Sequence, residues 1–380
     1  MKKIQYYISA FLLVAIAAMS LTSCGEDSLG PTIFPDEEEV LDPHSYSYQL
    51  DKFLKDYYLD TYNLTFLYKM PDVSTNMNYN LVPATYERAL DLSVLCRYLW
   101  FEVYDSIVGP DFLKANGPRI ILLVGSPAYN PYSGSETVGL AEGGIKISLF
   151  KVNEMDLNNF YMMNEYYFHT MHHEFTHILH QKKSYPVEFN TVSVGRYDAN
   201  NWQYRGNEVN SKGFVTNYAS SEYREDFAET VACWIVYTDA QWEQMLKFAR
   251  RGWATSADED DLDARYYSYY YYPDNDATAE VAYLPDDDVF TVTDADGTVH
   301  KYWRNNKDKK GNRIVVYDVE DTDGVEGDVA ILRKLEIART WLRDVWNVDL
   351  DAIRQSVQYR QTHIDIDSLR TLVKSIPIPQ

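Results

Sequence analysis

The sequence predicts an α+β fold in which a small sheet packs on a histidine-bearing helix and the C-terminal part is helical. Two short apolar runs read as strands. Arg119–Val124 is bounded by Pro118 and Gly125, and Ile145–Phe150 follows Gly143-Gly144 and alternates apolar with polar residues. Helical apolar periodicity then dominates, first from Asn158-Asn159 to about Gln181, next from Ser220-Ser221 onward, and again from Val329 to Trp346. With 46% hydrophobic and 24% charged residues over 380 positions, the chain can build a core and is not disordered, collagen-like or polytopic.

At the N-terminus, Lys2 and Lys3 precede the apolar run Ile8–Met19, which Leu21-Thr22-Ser23-Cys24 closes with small residues before a cysteine. The run is shorter than the about 20 apolar residues of a spanning helix, so it reads as a cleaved export signal. Its ending resembles the bacterial lipobox, which implies that residues 1–23 are a lipoprotein signal peptide and that Cys24 is lipidated. Acyl chains contribute about 0.8 kcal/mol per buried CH₂, so several chains anchor firmly. Residues 24–45, with Pro31, Pro35 and the acids Asp36–Glu39, form an acidic tether. Residues 46–380 are the remaining domain, with a Tyr/Asp-rich insertion at about 253–325. The formal charge of -22 argues against nucleic acid, because phosphate neutralisation needs a basic face.

Further along, Pro83-Ala84-Thr85 leads into a helix through Tyr104. Asn158-Asn159 caps the histidine-bearing helix, which Lys182, Lys183 and Pro186 terminate. Thr238-Asp239-Ala240-Gln241 offers a capping box for a helix to Arg250-Arg251-Gly252. Val289–Val292 and Val299–Trp303 flank Asp294-Ala295-Asp296-Gly297 as a hairpin. The Asp-x-Asp-Gly pieces at Gly297 and Gly324 lack the first and last acids of a calcium loop and read as turns. Cys96 and Cys233 lie in apolar helical patterns and read as buried thiols.

Five of the eight histidines lie between His169 and His180, and His173-Glu174-Phe175-Thr176-His177 is a His-Glu-x-x-His pattern. Residues four apart on a helix project from one face, so two imidazoles can converge on one zinc ion, with Glu174 beside the water it binds. The apolar stripe Met163, Tyr167, Met171, Phe175 and Ile178 runs out of phase with His169, His173 and His177, which lets one face enter the core and the other line a cleft. A catalytic zinc takes three protein ligands. His180, seven residues from His173, is roughly 10 Å away along a straight helix, too far to be the third. The run Glu222-Tyr-Arg-Glu-Asp-Phe-Ala-Glu229 supplies the carboxylate, with Glu225 as ligand and Glu229 steering an imidazole; Asp226 is the rival ligand. Phe227, Val231 and Trp234 can face the core.

These residues resemble the gluzincin clan of zinc metallopeptidases, and most closely the anthrax-lethal-factor type. His172-His-Glu-Phe-Thr-His177 and Glu225-Asp-Phe-Ala-Glu229 mirror its His-His-Glu-Phe-Gly-His and Glu-Phe-Phe-Ala-Glu segments. The resemblance implies a zincin-like fold with a small mixed sheet on the active-site helix, and a catalytic tyrosine seven residues before the ligand glutamate, where this chain has Tyr218. Thr176 and Asp226 depart from that pattern, and Asp226 leaves the choice of ligand open. The lipobox, Gly139-Leu-Ala-Glu-Gly-Gly144 and the two motifs also resemble the substrate import-associated zinc metallohydrolase lipoproteins. That likeness implies a lipid-anchored protein at the bacterial outer membrane, on the cell surface, beside a TonB-dependent nutrient importer.

The expected chemistry is hydrolysis of a peptide, protein or glycopeptide substrate by zinc-activated water, with Glu174 as general base and Tyr218 assisting the oxyanion. The Ile145–Phe150 strand is expected to pair with an extended substrate. The rival expectation is a non-catalytic glycan- or protein-binding surface lipoprotein with a structural zinc, its tyrosine-rich segment serving as stacking platforms.

Overall fold

Four short strands form a sheet beside the histidine-bearing helix. β1 (Thr65–Leu67), β2 (Ile120–Leu123), β3 (Gly139–Glu142) and β4 (Lys146–Leu149) lie in the order β1-β2-β4-β3. The first, second and fourth are parallel, Thr65 opposite Ile120 and Ile120 opposite Lys146, whereas β3 is antiparallel to β4 and pairs Gly139 with Leu149. The structure is a computed structural model describing residues 41–70, 81–129, 136–137, 139–142, 146–205, 208–249, 253–255, 269–271, 289–293, 299–304, 314–316 and 325–379.

Alternation sends Ile121, Leu123, Ile147 and Leu149 into the main core, and Leu122, Val124 and Phe150 into a smaller cluster with Ala128 on the other face. Two sequence expectations for β4 are therefore corrected. Its polar Ser148 is buried at 2% exposure, because it lies beside Leu122 on the face that the smaller cluster covers. It also cannot receive a substrate strand, since β2 and β3 already occupy its two edges; the edge is β3.

Thr85 accepts a hydrogen bond from the Arg88 N–H and starts the helix Tyr86–Cys96, which passes through a π turn at Arg97–Phe101 into Glu102–Ile107. Asn159 likewise accepts the Met162 N–H at 3.1 Å, opening the helix Phe160–Met163. A π turn over Asn164–Phe168 leads into α1 (His169–Lys182). Met163, Tyr167, Met171, Phe175 and Ile178 are all buried at 3% exposure or less. The wider π turn absorbs the drift that four-residue steps would accumulate on a 3.6-residue helix, so the stripe stays on one face.

Helix α2 (Tyr223–Val236) packs along α1, and α3 (Gly327–Trp346) and α4 (Leu350–Thr362) pack on α2. Phe227 and Val231 enter the core as expected. Trp234 does so only in part: its indole N–H donates to Asp351 at 2.8 Å, and its ring lies edge-on to Trp242 and beneath the Arg354 guanidinium. Thr238 and Gln241 cap each other reciprocally at the start of Asp239–Ala249, and Asp349 caps α4 through the Ala352 N–H. A further helix, Ile366–Lys374, is capped by Asp365.

The unit Ser45–Gln380 is thus a mixed α/β structure, mostly helical, with a small largely parallel sheet. No helix among the described residues is long and apolar enough to cross a membrane. The export signal, Cys24, most of the tether and both Asp-x-Asp-Gly pieces lie outside the described residues. Within the tyrosine-rich stretch the backbone of Val289–Thr293 pairs with Val299–Arg304, Thr293 opposite Val299, as the hairpin reading predicts, and Tyr269–Tyr271 adds on the far side. Cys96 and Cys233 are buried free thiols.

Candidate metal centre

Successive turns of α1 place His173 and His177 on the face that meets α2, and α2 presents Glu225 from its first turn. Glu225 Oε2 lies 3.0 Å from His173 Nε2 and 3.1 Å from His177 Nε2, and the two nitrogens are 3.0 Å apart. A tetrahedral zinc at about 2.0–2.1 Å from each donor would hold such atoms about 3.3 Å apart, so the triangle matches its coordination sphere with little adjustment. Three electron pairs aimed at one point repel, and two Nε2 atoms this close cannot both direct a hydrogen into the same gap. A cation removes both conflicts.

The outer nitrogens supply the rest of the fit. Glu229 Oε1 is 2.7 Å from His173 Nδ1, off the line of the N–H, so this buried nitrogen lacks an aligned acceptor. His177 Nδ1 is 2.7 Å from His180 Nε2. Protons on the two Nδ1 atoms leave both Nε2 electron pairs for the ion. In electrostatic terms the centre demands positive charge. Burial pushes His173 down, but bonds to Glu225 and Glu229 outweigh it and hold the imidazole up at about 10. Burial likewise pushes the Glu225 carboxyl up, and the two imidazoles overcome it and hold it well below the usual range.

The two candidate carboxylates part company in space. Asp226 is fully buried on another side of α2, where Lys334 Nζ approaches its Oδ2 at 2.5 Å and the Tyr197 hydroxyl donates to the same oxygen at 2.8 Å. Glu222 precedes the helix, exposed and outside the metal-ligand group. Glu174 is 9% exposed; burial pushes its carboxyl up, His173 and His177 pull it down, and Glu225 and Glu229 push it up again. Tyr218 occupies the 3₁₀ turn Tyr218–Ser220, its ring 5.8 Å from that of His173 and braced edge-on by Trp202 at 5.0 Å. Burial, followed by the charge of Glu225 and a hydrogen bond with it, pushes its pKa up, so the hydroxyl keeps its proton. The open side of the triangle is that of His177 and Glu225, 12% and 19% exposed against 7% for His173.

Glu229, 3% exposed, also takes the Thr216 hydroxyl at 2.6 Å on Oε2 and has His169 Nε2 at 3.2 Å from Oε1. His169, Glu229 and Cys233 form a second cluster within 4.8 Å. His169 Nε2 lies within reach of both the carboxylate and the thiol, the latter 3.6 Å away, so the three groups can satisfy one another by hydrogen bonds. Sequence reasoning placed His169 on the cleft-lining face without giving it a role, and did not single out Thr216, Tyr197 or Lys334. Histidine spacing put His169 there, whereas the other three carry no motif.

Fold and site together define a zinc-binding protein of mixed α/β architecture. The chain belongs to the family described as putative zinc-binding metallo-peptidase, whose profile matches residues 44–351. It is similar to a putative zinc-binding metallo-peptidase from Bacteroides caccae known from a crystal structure, with 30% identity and a TM-score of 0.58, over 88% of this chain and 99% of that one. No curated protein matches the chain.

Proposed function

We propose that this chain is a zinc-dependent peptidase of gluzincin type, with His173, His177 and Glu225 as metal ligands. The observation that carries the reading is the convergence of two Nε2 atoms and one carboxylate oxygen within 3.1 Å of one another, beside Glu174 and Tyr218. Zinc bound there supplies Lewis acidity, polarising a carbonyl and lowering the pKa of a water toward about 7. Glu174 takes a proton from the attacking water and hands it to the leaving amine; its partly desolvated carboxyl favours that exchange. Tyr218, held protonated, donates its hydroxyl hydrogen to the oxygen of the tetrahedral intermediate. Glu229, held by Thr216, keeps a carboxylate 2.7 Å from His173 Nδ1, placed to orient that ring when the metal is bound. The edge strand β3, which contacts α1, offers backbone groups to an extended peptide.

Ligand substitutions test the assignment. Glu225→Ala should lose stoichiometric zinc, whereas Asp226→Ala should lower stability and keep the metal wherever it folds. Zinc lost only from the Asp226 variant would overturn the ligand set.

The same proposal includes attachment. Leu21-Thr22-Ser23-Cys24 supports a lipid on Cys24, and the resemblance to import-associated lipoproteins supports an outer-membrane, surface position beside a nutrient importer. A Cys24→Ser chain should leave the membrane fraction; one that remained there would contradict the anchor.

A further inference from the structure

We propose that His180 is a positioning residue for the metal, acting through His177, an inference that rests on the zinc reading above. His180 Nε2 and His177 Nδ1 are 2.7 Å apart, so one donates and the other accepts. A ligating His177 needs its Nε2 electron pair free, which puts the proton on Nδ1 and makes His180 the acceptor.

The fold holds that acceptor in place. His180 is 8% exposed, with its ring edge-on to Tyr185 at 5.5 Å and to Phe227 at 6.3 Å. Tyr185 lies flat on Phe227 at 4.0 Å, and Phe227 belongs to α2, two residues beyond Glu225. Contacts from the helix that carries the third ligand therefore set the orientation of the imidazole behind the second. The two ligand histidines have unlike partners, an anionic carboxylate at His173 and a neutral ring at His177. The His-Glu-x-x-His-x-x-His run is thus two ligands, a base and an orienting acceptor on one helix.

The test measures zinc affinity by chelator competition on the full chain and records the visible spectrum of the cobalt(II)-substituted protein. His180→Phe fills the aromatic niche without an acceptor, and His180→Leu lacks the acceptor in a smaller volume, should the first not fold. Each should weaken zinc about 10- to 100-fold and alter the cobalt bands, with unfolding of the zinc-free chain little changed. His180→Gln, whose amide oxygen accepts, should recover most of the affinity and the spectrum. Wild-type affinity and spectrum in the Phe or Leu variant would overturn the proposal. A wild-type chain that takes up no zinc would sink the underlying metal reading before any variant is compared.

Discussion

Glu174→Gln should lower peptide hydrolysis by about 10²–10⁴-fold, the usual contribution of a positioned general base, while zinc stays bound. The substitution keeps the shape of the side chain and removes only its ability to accept and return a proton. Glu174 lies outside the triangle of His173, His177 and Glu225, so metal content should not follow activity. Its carboxyl sits in a balance of burial, two imidazoles and two further carboxylates, which suits a group that must both take and release a proton. Turnover of peptide substrates with equal zinc loading provides the check. Undiminished cleavage by the variant would remove Glu174 from the mechanism, and a chain that cleaves no peptide but binds glycans in both forms would favour the non-catalytic alternative.

The largest effect on stability is expected at Lys334, far in sequence from any motif. Its ammonium, 1% exposed, bonds to Asp226 and to the Gly213 carbonyl at 2.7 Å and lies over the Phe214 ring at 4.1 Å; burial lowers its pKa to about 8. Lys334→Met leaves the Asp226 carboxylate in the interior with only Tyr197 as donor, at a cost of about 3–5 kcal/mol for an unpaired buried charge. Adding Asp226→Leu should restore most of the loss, because both charges are then gone. The sign with pH follows from the raised carboxyl of Asp226 in the fold. Its ionised form carries the penalty above the unfolded carboxyl pKa, so the deficit of the single variant should shrink as the solution is acidified. Urea unfolding of zinc-free single and double variants measures this, and a single-variant loss below about 1 kcal/mol would show that the pair does not anchor α2.

The anchor explains why the site was only partly legible in the sequence. His173, Glu174 and His177 follow from the His-Glu-x-x-His pattern, and the stripe beginning at Met163 fixes which face of the helix enters the core. The choice between Glu225 and Asp226 depends on which way α2 is turned; Phe227 and Val231 fix that only coarsely, and the partner that takes Asp226 inward is Lys334, more than a hundred residues later on an otherwise ordinary amphipathic helix. No local pattern carries that information. His180 was legible as a histidine too distant to be a third ligand, but its contact with His177 Nδ1 depends on the Tyr185 and Phe227 rings around it. Strands β2 and β4 followed from their apolar runs and flanking glycines, whereas the three-residue β1 and the glycine-containing β3 are too short to show a pattern. The strand order did not follow, because the short Gly139–Glu142 segment pairs beside β4 and turns a presumed edge into an interior strand.

Two imidazoles of α1 and the first-turn glutamate of α2 are proposed to hold one zinc ion. Anomalous diffraction at the zinc absorption edge from crystals of the metal-loaded chain tests it most directly. One strong peak is expected within about 2.0–2.2 Å of His173 Nε2, His177 Nε2 and a Glu225 carboxylate oxygen, and none between His169 and Cys233. A loaded crystal with no peak at that triangle, or with its zinc held by Asp226 or by the His169 and Cys233 cluster, would contradict it.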